Sequence, residues 1–397
     1  AASCGGQITP PIMGASAFVM SEMLGIPYNE LILIAVIPAA FHYLATLCMV
    51  HFEARRRGLA GIPAADRPRF LDVMASRWHQ VIPIVVMVTL LMMRFTPFLA
   101  AFWGIILTVV CSYIPLVLRP LGFTRLDNTS VLTPRRLTTS LEEGAKQSIA
   151  ITAACACVGF LLGVTTLTGL GFKFSGAIVE MAHATGSWLA PLMPFGLFSE
   201  SGLILFSALL LVAVACILMG AGIPTTPTYI ILASIVAPAL DEFGIALLAA
   251  HFFVFYYGVL ADVTPPVALA AYAGAGISGS DPMPTGVTAF RLSMGKALVP
   301  LMFMYAPSLL FLDFSWVEFS VAMFSGVLCI VALSAAYIGY FAAPIRRWEV
   351  YLLTVLGLTL VGNNPWVVAV CSAVVIGLLA RNRLKVNEEG QPSAAAG

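Results

Sequence analysis

The sequence predicts an all-α, polytopic membrane protein with inverted repeats, broken helices and a re-entrant hairpin. Three observations carry that expectation. Of the 397 residues, 60% are hydrophobic and only 10% are charged, with a mean hydropathy of +0.97. A soluble domain carries about a quarter charged and about 45–50% apolar residues, and no single core could hide this much apolar surface. Apolar runs long enough to cross about 30 Å of hydrocarbon recur along the chain. The tripeptide Thr-Pro-Pro interrupts two of the apolar stretches, at Thr9-Pro10-Pro11 and Thr264-Pro265-Pro266. The same composition excludes a soluble enzyme, a disordered chain, collagen, a coiled coil and a soluble nucleic-acid binder.

Taken in order, residues 1–52 read as the end of a first repeat: a broken helix over 4–23, then a span over 31–52. Residues 53–148 read as basic cytoplasmic loops flanking a two-span hairpin, 81–93 and 98–118, joined by the tight turn Arg94-Phe95-Thr96-Pro97. Arg55, Arg56, Arg57, Arg67, Arg69 and Arg77 precede the hairpin; Arg119, Arg125, Arg135, Arg136 and Lys146 follow it. Loops flanking a pair of spans share a side, and the excess of cations makes that side cytoplasmic. Arg94 reads as a snorkelling helix-end cation, and Glu142, Glu143 and Lys146 as the solvated face of an interfacial helix.

Residues 149–312 read as a second repeat, with spans over 149–170, 203–219 and 298–312 and a broken helix over 246–277. Parity places Glu180, His183 and Glu200 outside and Arg291 and Lys296 in the cytoplasm. Residues 313–380 form an additional C-terminal membrane segment, in which the stretch after Val350 is one span or a hairpin about Gly362-Asn363-Asn364-Pro365. Residues 381–397 read as a disordered tail. The first residues look like the interior of an element, so the sequence reads as a processed or truncated piece of something longer. The eight cysteines lie mostly in apolar runs and read as small packing residues; Cys155 and Cys157 lack the C-x-x-C spacing of a metal or redox pair.

The two Thr-Pro-Pro segments resemble each other more widely: Gln7-Ile8-Thr9-Pro10-Pro11-Ile12 against Asp262-Val263-Thr264-Pro265-Pro266-Val267. By parity they run in opposite directions. Inverted repeats with interrupted helices in matching places are the build of secondary transporters, with the binding site at the breaks. Tandem proline removes two backbone donors and frees carbonyl oxygens, which membrane depth tolerates only against protein, water or an ion. With a threonine hydroxyl beside them, such oxygens suit a cation of the Na⁺ kind. An uncharged stretch, Met219-Gly220-Ala221-Gly222-Ile223-Pro224-Thr225-Thr226-Pro227-Thr228, reads as the tip of a re-entrant hairpin offering helix-start amides and three hydroxyls. It is no phosphate loop, since G-K-[ST] is absent. Asp262, the only acidic residue well inside a candidate span, could bind a cation, carry a proton, hydrogen-bond the tip or cap the break. His42 and His251 read as packed, neutral, hydrogen-bonded histidines.

Gly5-Gly6-Gln7-Ile8-Thr9-Pro10-Pro11-Ile12-Met13-Gly14 resembles the signature of fused TRAP transporter permeases, as does Gly220-Ala221-Gly222-Ile223-Pro224-Thr225-Thr226. So does the run from Ala249-Ala250-His251-Phe252-Phe253 through Asp262 to Tyr272. The resemblance covers roughly residues 1–312 and is to the large permease subunit in its fused, TAXI-type form. It implies an elevator-type, Na⁺-coupled importer of small organic anions, fed by a periplasmic substrate-binding protein in a bacterial or archaeal inner membrane. It places Gly5, Gly6, Gln7 and Thr9 in a first site, and Gly220, Gly222, Thr225, Thr226, Asp262 and Thr264 in the second half. Na⁺ is expected at Thr9, Thr225, Thr226 and Thr264, with no other cofactor. A small four-helix membrane subunit and a first re-entrant hairpin are expected upstream of residue 1. Proton coupling or an ion channel of similar build stand as alternatives. An intramembrane enzyme is remote: a second membrane-depth aspartate and H-E-x-x-H are both missing.

Overall fold

The computed structural model describes residues 2–59, 61–63, 66–118, 120, 131–192, 199–362 and 364–389. Among the described residues the chain is helical, and the one β contact is an isolated bridge between Tyr340 and Pro344. Among the described residues seven helical segments are long and apolar enough to span a membrane: Tyr28–Arg56, Pro97–Leu118, Pro134–Thr168, Glu200–Gly220, Pro282–Tyr305, Trp316–Ile338 and Pro365–Leu384. Such runs fold as helices because lipid offers no partner to backbone N–H and C=O groups, so the segment must pair its own. The protein is therefore an all-α, multi-pass membrane protein.

The chain forms two compact units. The smaller comprises residues 21–33 and 60–156. In it the Phe70–Gln80 segment meets the Ile82–Met92 helix at a bend of 66°, and Ile82–Met92 packs against Pro97–Ser112. The turn between those two helices is chemically explicit. Arg94 adopts φ +64°, the Thr96 hydroxyl accepts from Leu99 N–H at 3.4 Å, and Pro97 takes the first helical position, where its missing N–H costs nothing. Arg94 does not simply snorkel: its guanidinium pairs with Glu30 at 3.3 Å. Glu142 and Lys146 pair at 2.6 Å on the Pro134–Thr168 helix. The expected interfacial helix is thus the first part of one continuous 35-residue helix.

The larger unit comprises residues 1–20, 34–59 and 157–397. Leu170–Leu189 packs closely on Glu200–Gly220. A Cβ at Gly186 would lie 2.6 Å from Ile204 Cα and 2.7 Å from its nitrogen, so only glycine permits that approach. Leu247–Ala261 is buried at every residue from Leu248 onward, as a helix apolar all round must be. It lies against both arms of the Glu200–Gly220 and Thr225–Ile235 hairpin.

Two boundaries differ from the sequence reading. The segment expected to start its span at residue 298 is helical from Pro282 to Tyr305. Arg291 and Lys296 therefore belong to a span-length segment and not to a loop. An apolar-run count starts after a cation, whereas tertiary burial can enclose one. The stretch after 350 resolves as two helices, Arg347–Thr359 and Pro365–Glu389, which pack on each other and on Trp316–Ile338. The last helix continues past residue 380, where the tail was expected; residues 390–397 lie outside the described residues. Polar clamps hold the helix near residue 380. Asn382 Oδ1 accepts from the N–H groups of Ala342 and Ala343 at 3.1 and 3.0 Å, and Arg381 pairs with buried Glu349.

The Gly186 contact yields a direct test. Gly186→Ala forces a methyl against the Ile204 backbone, and overpacking of this kind costs about 1–3 kcal/mol. The thermal midpoint of the purified protein should fall by several degrees; an unchanged midpoint would show that the two helices separate freely.

Candidate functional site

Both Thr-Pro-Pro segments break helices, and they do so with the same local wiring at a constant separation of 255 residues. Ahead of the first break lies the 3-10 turn Ser3–Gln7; ahead of the second, the helix Leu247–Ala261. The Gly5 carbonyl accepts from Ile8 N–H and from the Thr9 hydroxyl; the equivalent Leu260 carbonyl accepts from Val263 N–H and the Thr264 hydroxyl. The Thr9 carbonyl accepts from Met13 N–H at 3.1 Å, and the Thr264 carbonyl from Ala268 N–H at 3.0 Å. Gln7 O accepts from Gly14 N–H, and Asp262 O from Ala270 N–H, one residue beyond the equivalent of Gly14. Met13 and Ala268 both have positive φ, both Pro–Pro bonds are cis, and a ten-residue helix follows each break, Ala15–Leu24 and Leu269–Ser278. The carbonyls of Gln7 and Asp262, four residues before the second proline of each pair and so deprived of a helical donor, are re-engaged within the chain.

The breaks meet. Gln7 and Asp262 occupy equivalent positions, and Gln7 Nε2 donates to Asp262 Oδ2 at 3.1 Å. The hairpin tip reaches the same oxygen, with Thr225 Oγ1 donating at 3.2 Å. Of the roles open to Asp262, hydrogen bonding the tip is therefore observed. Gln7 Oε1 is buried with no hydrogen-bond partner among the described residues.

Small residues let these elements touch. Gly222 takes φ +82° in the tip, and a Cβ there would stand 3.2 Å from Val267 Cγ1, in the second break. A Cβ on Gly220 would stand 2.9 Å from Ala261 Cβ and 3.0 Å from Thr228 Cγ2. Thr228 supports the tip, its hydroxyl donating to the Ile223 carbonyl at 3.2 Å. On the other side, a Cβ on Gly5 would stand 2.9 Å from His42 Nε2 and 3.0 Å from the Tyr43 ring, so the first break lies against Tyr28–Arg56. The Thr9 hydroxyl sits 3.2 Å from Tyr43 Oη.

Gln7, Thr225 and Asp262 thus form one cluster, backed by Gly5, Gly220, Gly222, Thr9 and Thr264. Thr226 follows Thr225 in the same helical turn without joining these hydrogen bonds. Gly6 is exposed, with open space where a Cβ would point. His251 behaves as expected, its Nδ1 2.6 Å from Tyr229 Oη. His42 does not: it is buried, and its Nε2 lacks a hydrogen-bond partner among the described residues. Tyr43, Tyr256 and Lys296 were not singled out as site residues, because nothing in their sequence surroundings distinguishes them from packing or loop residues. Among the described residues no group of three or more His, Cys, Asp or Glu side chains is placed to hold a metal ion.

Residues 1–317 match the family model of the tripartite ATP-independent periplasmic transporter, DctM component. The chain belongs to the DctM family. No curated protein and no solved structure matches it. Both breaks and the hairpin tip lie within the matched residues, whereas Arg347–Thr359 and Pro365–Glu389 lie beyond them. The chain is accordingly the large membrane component of a TRAP secondary transporter, a family of permeases that works with a periplasmic binding protein and a small membrane subunit.

The tip geometry makes Gly222 sensitive in a way that a nearby glycine is not. Gly222→Ala places a Cβ in the left-handed region, at about 1–2 kcal/mol, and also against Val267. Gly274 lies in the Leu269–Ser278 helix with open space around it, so Gly274→Ala should leave stability equal or slightly higher. Thermal midpoints of the two variants should separate in that order; equal midpoints would refute the strained tip.

Proposed function

We propose that this DctM-family permease couples inward Na⁺ movement to import of small organic anions, carboxylates foremost, by alternating access. The anion is delivered by a TAXI-type periplasmic binding protein to an inner membrane. The four-helix subunit is fused upstream in this reading. The observation that carries the proposal is the convergence of Gln7, Asp262 and Thr225, from two equivalent breaks and a hairpin tip, on one carboxylate oxygen.

The chemistry fits a hard monovalent cation. The Thr9 and Thr264 hydroxyls donate back to carbonyls, which leaves their oxygen lone pairs as acceptors, and the buried Gln7 Oε1 offers another. Thr225 and Thr226 stand in the first turn of Thr225–Ile235, whose helix-start amides favour an anion. A cation bound among these oxygens would hold the tip against the breaks, so that the anion meets an ordered set of amides. The reaction involves no covalent chemistry, only differential binding in two conformations.

Reconstituted with its binding protein, the full transporter should take up substrate under an inward Na⁺ gradient. Uptake that follows a proton gradient alone would overturn the coupling. Thr225→Val with Thr226→Val should weaken the apparent Na⁺ affinity roughly tenfold or more, the scale of losing hydrogen-bonding oxygens at a charged centre. An unchanged Na⁺ dependence would remove both hydroxyls as ligands. Asp262→Asn should lose most uptake; full retention would leave Asp262 a cap of the helix break.

A further inference from the structure

Four helical segments border a groove of about 440 Å³ within the larger unit: Tyr28–Arg56, Pro282–Tyr305, Trp316–Ile338 and Arg347–Thr359. Among the described residues that line it none is charged. Met49 and Leu333 are buried at its floor, and Tyr337 and Leu358 stand exposed at its mouth. Val350, Thr354 and Leu358 recur every four residues, so one face of Arg347–Thr359 makes a wall. The Thr354 hydroxyl turns back to the Val350 carbonyl at 2.8 Å, which leaves that wall apolar. At membrane depth, hydrocarbon and not water covers such a surface.

One end of the groove is basic. Met49 and Arg56 lie two turns apart on one helix face, about 10 Å along its axis. Arg56 Nη1 donates to the Ile338 carbonyl at 3.4 Å, beside Tyr337 of the groove. The next carbonyl, of Gly339, accepts from Ile345 N–H at 3.0 Å, which brings exposed Arg346 and Arg347 to the same end. Val350 follows these two by one helical turn. Arg56 and Arg57 share the Glu53 carboxylate at 2.9 and 2.7 Å. The other carboxylate here, buried Glu349, is engaged by Arg381 and by the Arg346 amide. Four guanidiniums thus stand against one carboxylate. Exposed Trp348, with the Arg381 guanidinium 5.3 Å from its ring centre, sets this end at headgroup depth, where amphipathic rings concentrate. The Arg55–Arg57 run reads as cytoplasmic by its excess of cations.

We propose that the groove binds one anionic phospholipid of the cytoplasmic leaflet. An acyl chain lies along Met49, Leu333, Val350 and Leu358, and the phosphate sits on Arg56 and Arg347. Basic pockets between spans on the cytoplasmic side select anionic headgroups in this way. A zwitterionic lipid brings the same hydrocarbon, but its own cation offsets the phosphate and leaves the arginine excess unbalanced. Tyr337 and the Arg347–Thr359 wall lie beyond the residues matched by the family model, whereas Met49 and Leu298 lie within them. The lipid therefore joins the C-terminal helices to the DctM-like part of the chain, as a structural ligand independent of the coupling ion.

The test uses the full transporter polypeptide, stripped of lipid in detergent, and follows thermal midpoints and native mass spectra as lipid is added back. Dioleoylphosphatidylglycerol should raise the midpoint by several degrees and stay bound at one molecule per chain. Dioleoylphosphatidylcholine, with the same chains, should do so much less, and glycerol 1-phosphate, a headgroup without chains, not at all. Arg56→Gln with Arg347→Gln should weaken phosphatidylglycerol binding roughly thirtyfold, about fivefold for each arginine. Arg69→Gln, in the other run of basic residues, should leave it unchanged. Arg347 is exposed, so Arg347→Gln alone reads the fivefold loss even if the double variant does not fold. Thr354→Phe fills the groove and should weaken both lipids together. Equal stabilisation by the two lipids, a phosphatidylglycerol preference undiminished in Arg347→Gln, or tight binding of glycerol 1-phosphate would overturn the proposal. No transport is measured, so the result stands or falls apart from Na⁺ coupling.

Discussion

Irregular backbone inside a membrane protein must find its hydrogen-bond partners within the protein, and that constraint organises the larger unit. Two proline-broken segments satisfy it in the same way. Each folds its threonine hydroxyl back onto the carbonyl four residues earlier, and each threonine carbonyl accepts from the amide four residues on. The breaks are then rigid enough to present side chains, and the glycines at 5, 220 and 222 bring neighbouring helices and the hairpin tip against them. Remove the local wiring and the close approaches lose their purpose, since there would be no defined surface for the tip to meet.

The repeat is close in backbone but not in charge. Equivalent positions carry Gln7 and Asp262, and these two side chains bond to each other. Two carboxylates there would repel, and one would have to hold a proton. Two amides would pair without attracting a cation. The mixed pair joins a donor to an acceptor, keeps one negative charge at the meeting point and leaves Gln7 Oε1 over as a neutral oxygen. A repeat with an amide at one of these positions and a carboxylate at the other therefore keeps the same backbone wiring at both breaks while being asymmetric in charge.

Much of this was legible in the sequence because it depends on local pattern. Apolar run length located the spans, proline pairs marked the breaks, and the uncharged Gly220–Thr228 stretch marked the tip. What escaped is tertiary. Lys296 lies between Gly295 and Ala297 in a run that a hydropathy count treats as a loop end, and only packing shows it enclosed. His42 looks like any helix histidine; that its Nε2 has no hydrogen-bond partner among the described residues depends on surroundings such as Gly5, remote in sequence from the Tyr28–Arg56 helix interior. Thr225 and Thr226 are equivalent as neighbours in a string, and helix phase alone decides which reaches Asp262. The helix past residue 380 is not legible from local pattern because its anchors, Ala342, Ala343 and Glu349, lie 32 to 40 residues upstream of their partners.

The energetics of the tip limit what it can do unaided. The Thr225–Asp262 hydrogen bond links it to the second break, and a bond to a charged group contributes about 1.5–3 kcal/mol. Moving a two-state element from almost entirely open to almost entirely closed takes about 5.5 kcal/mol of differential binding. The hydrogen bond alone therefore biases the hairpin without locking it. A gate that answers to an ion must draw the remaining free energy from that ion, bound by oxygens on both the tip and the breaks. In the structure Thr225 Oγ1 of the tip and Gln7 Nε2 of the first break meet on Asp262 Oδ2 of the second, so under the proposed Na⁺ coupling binding and closure would be one event.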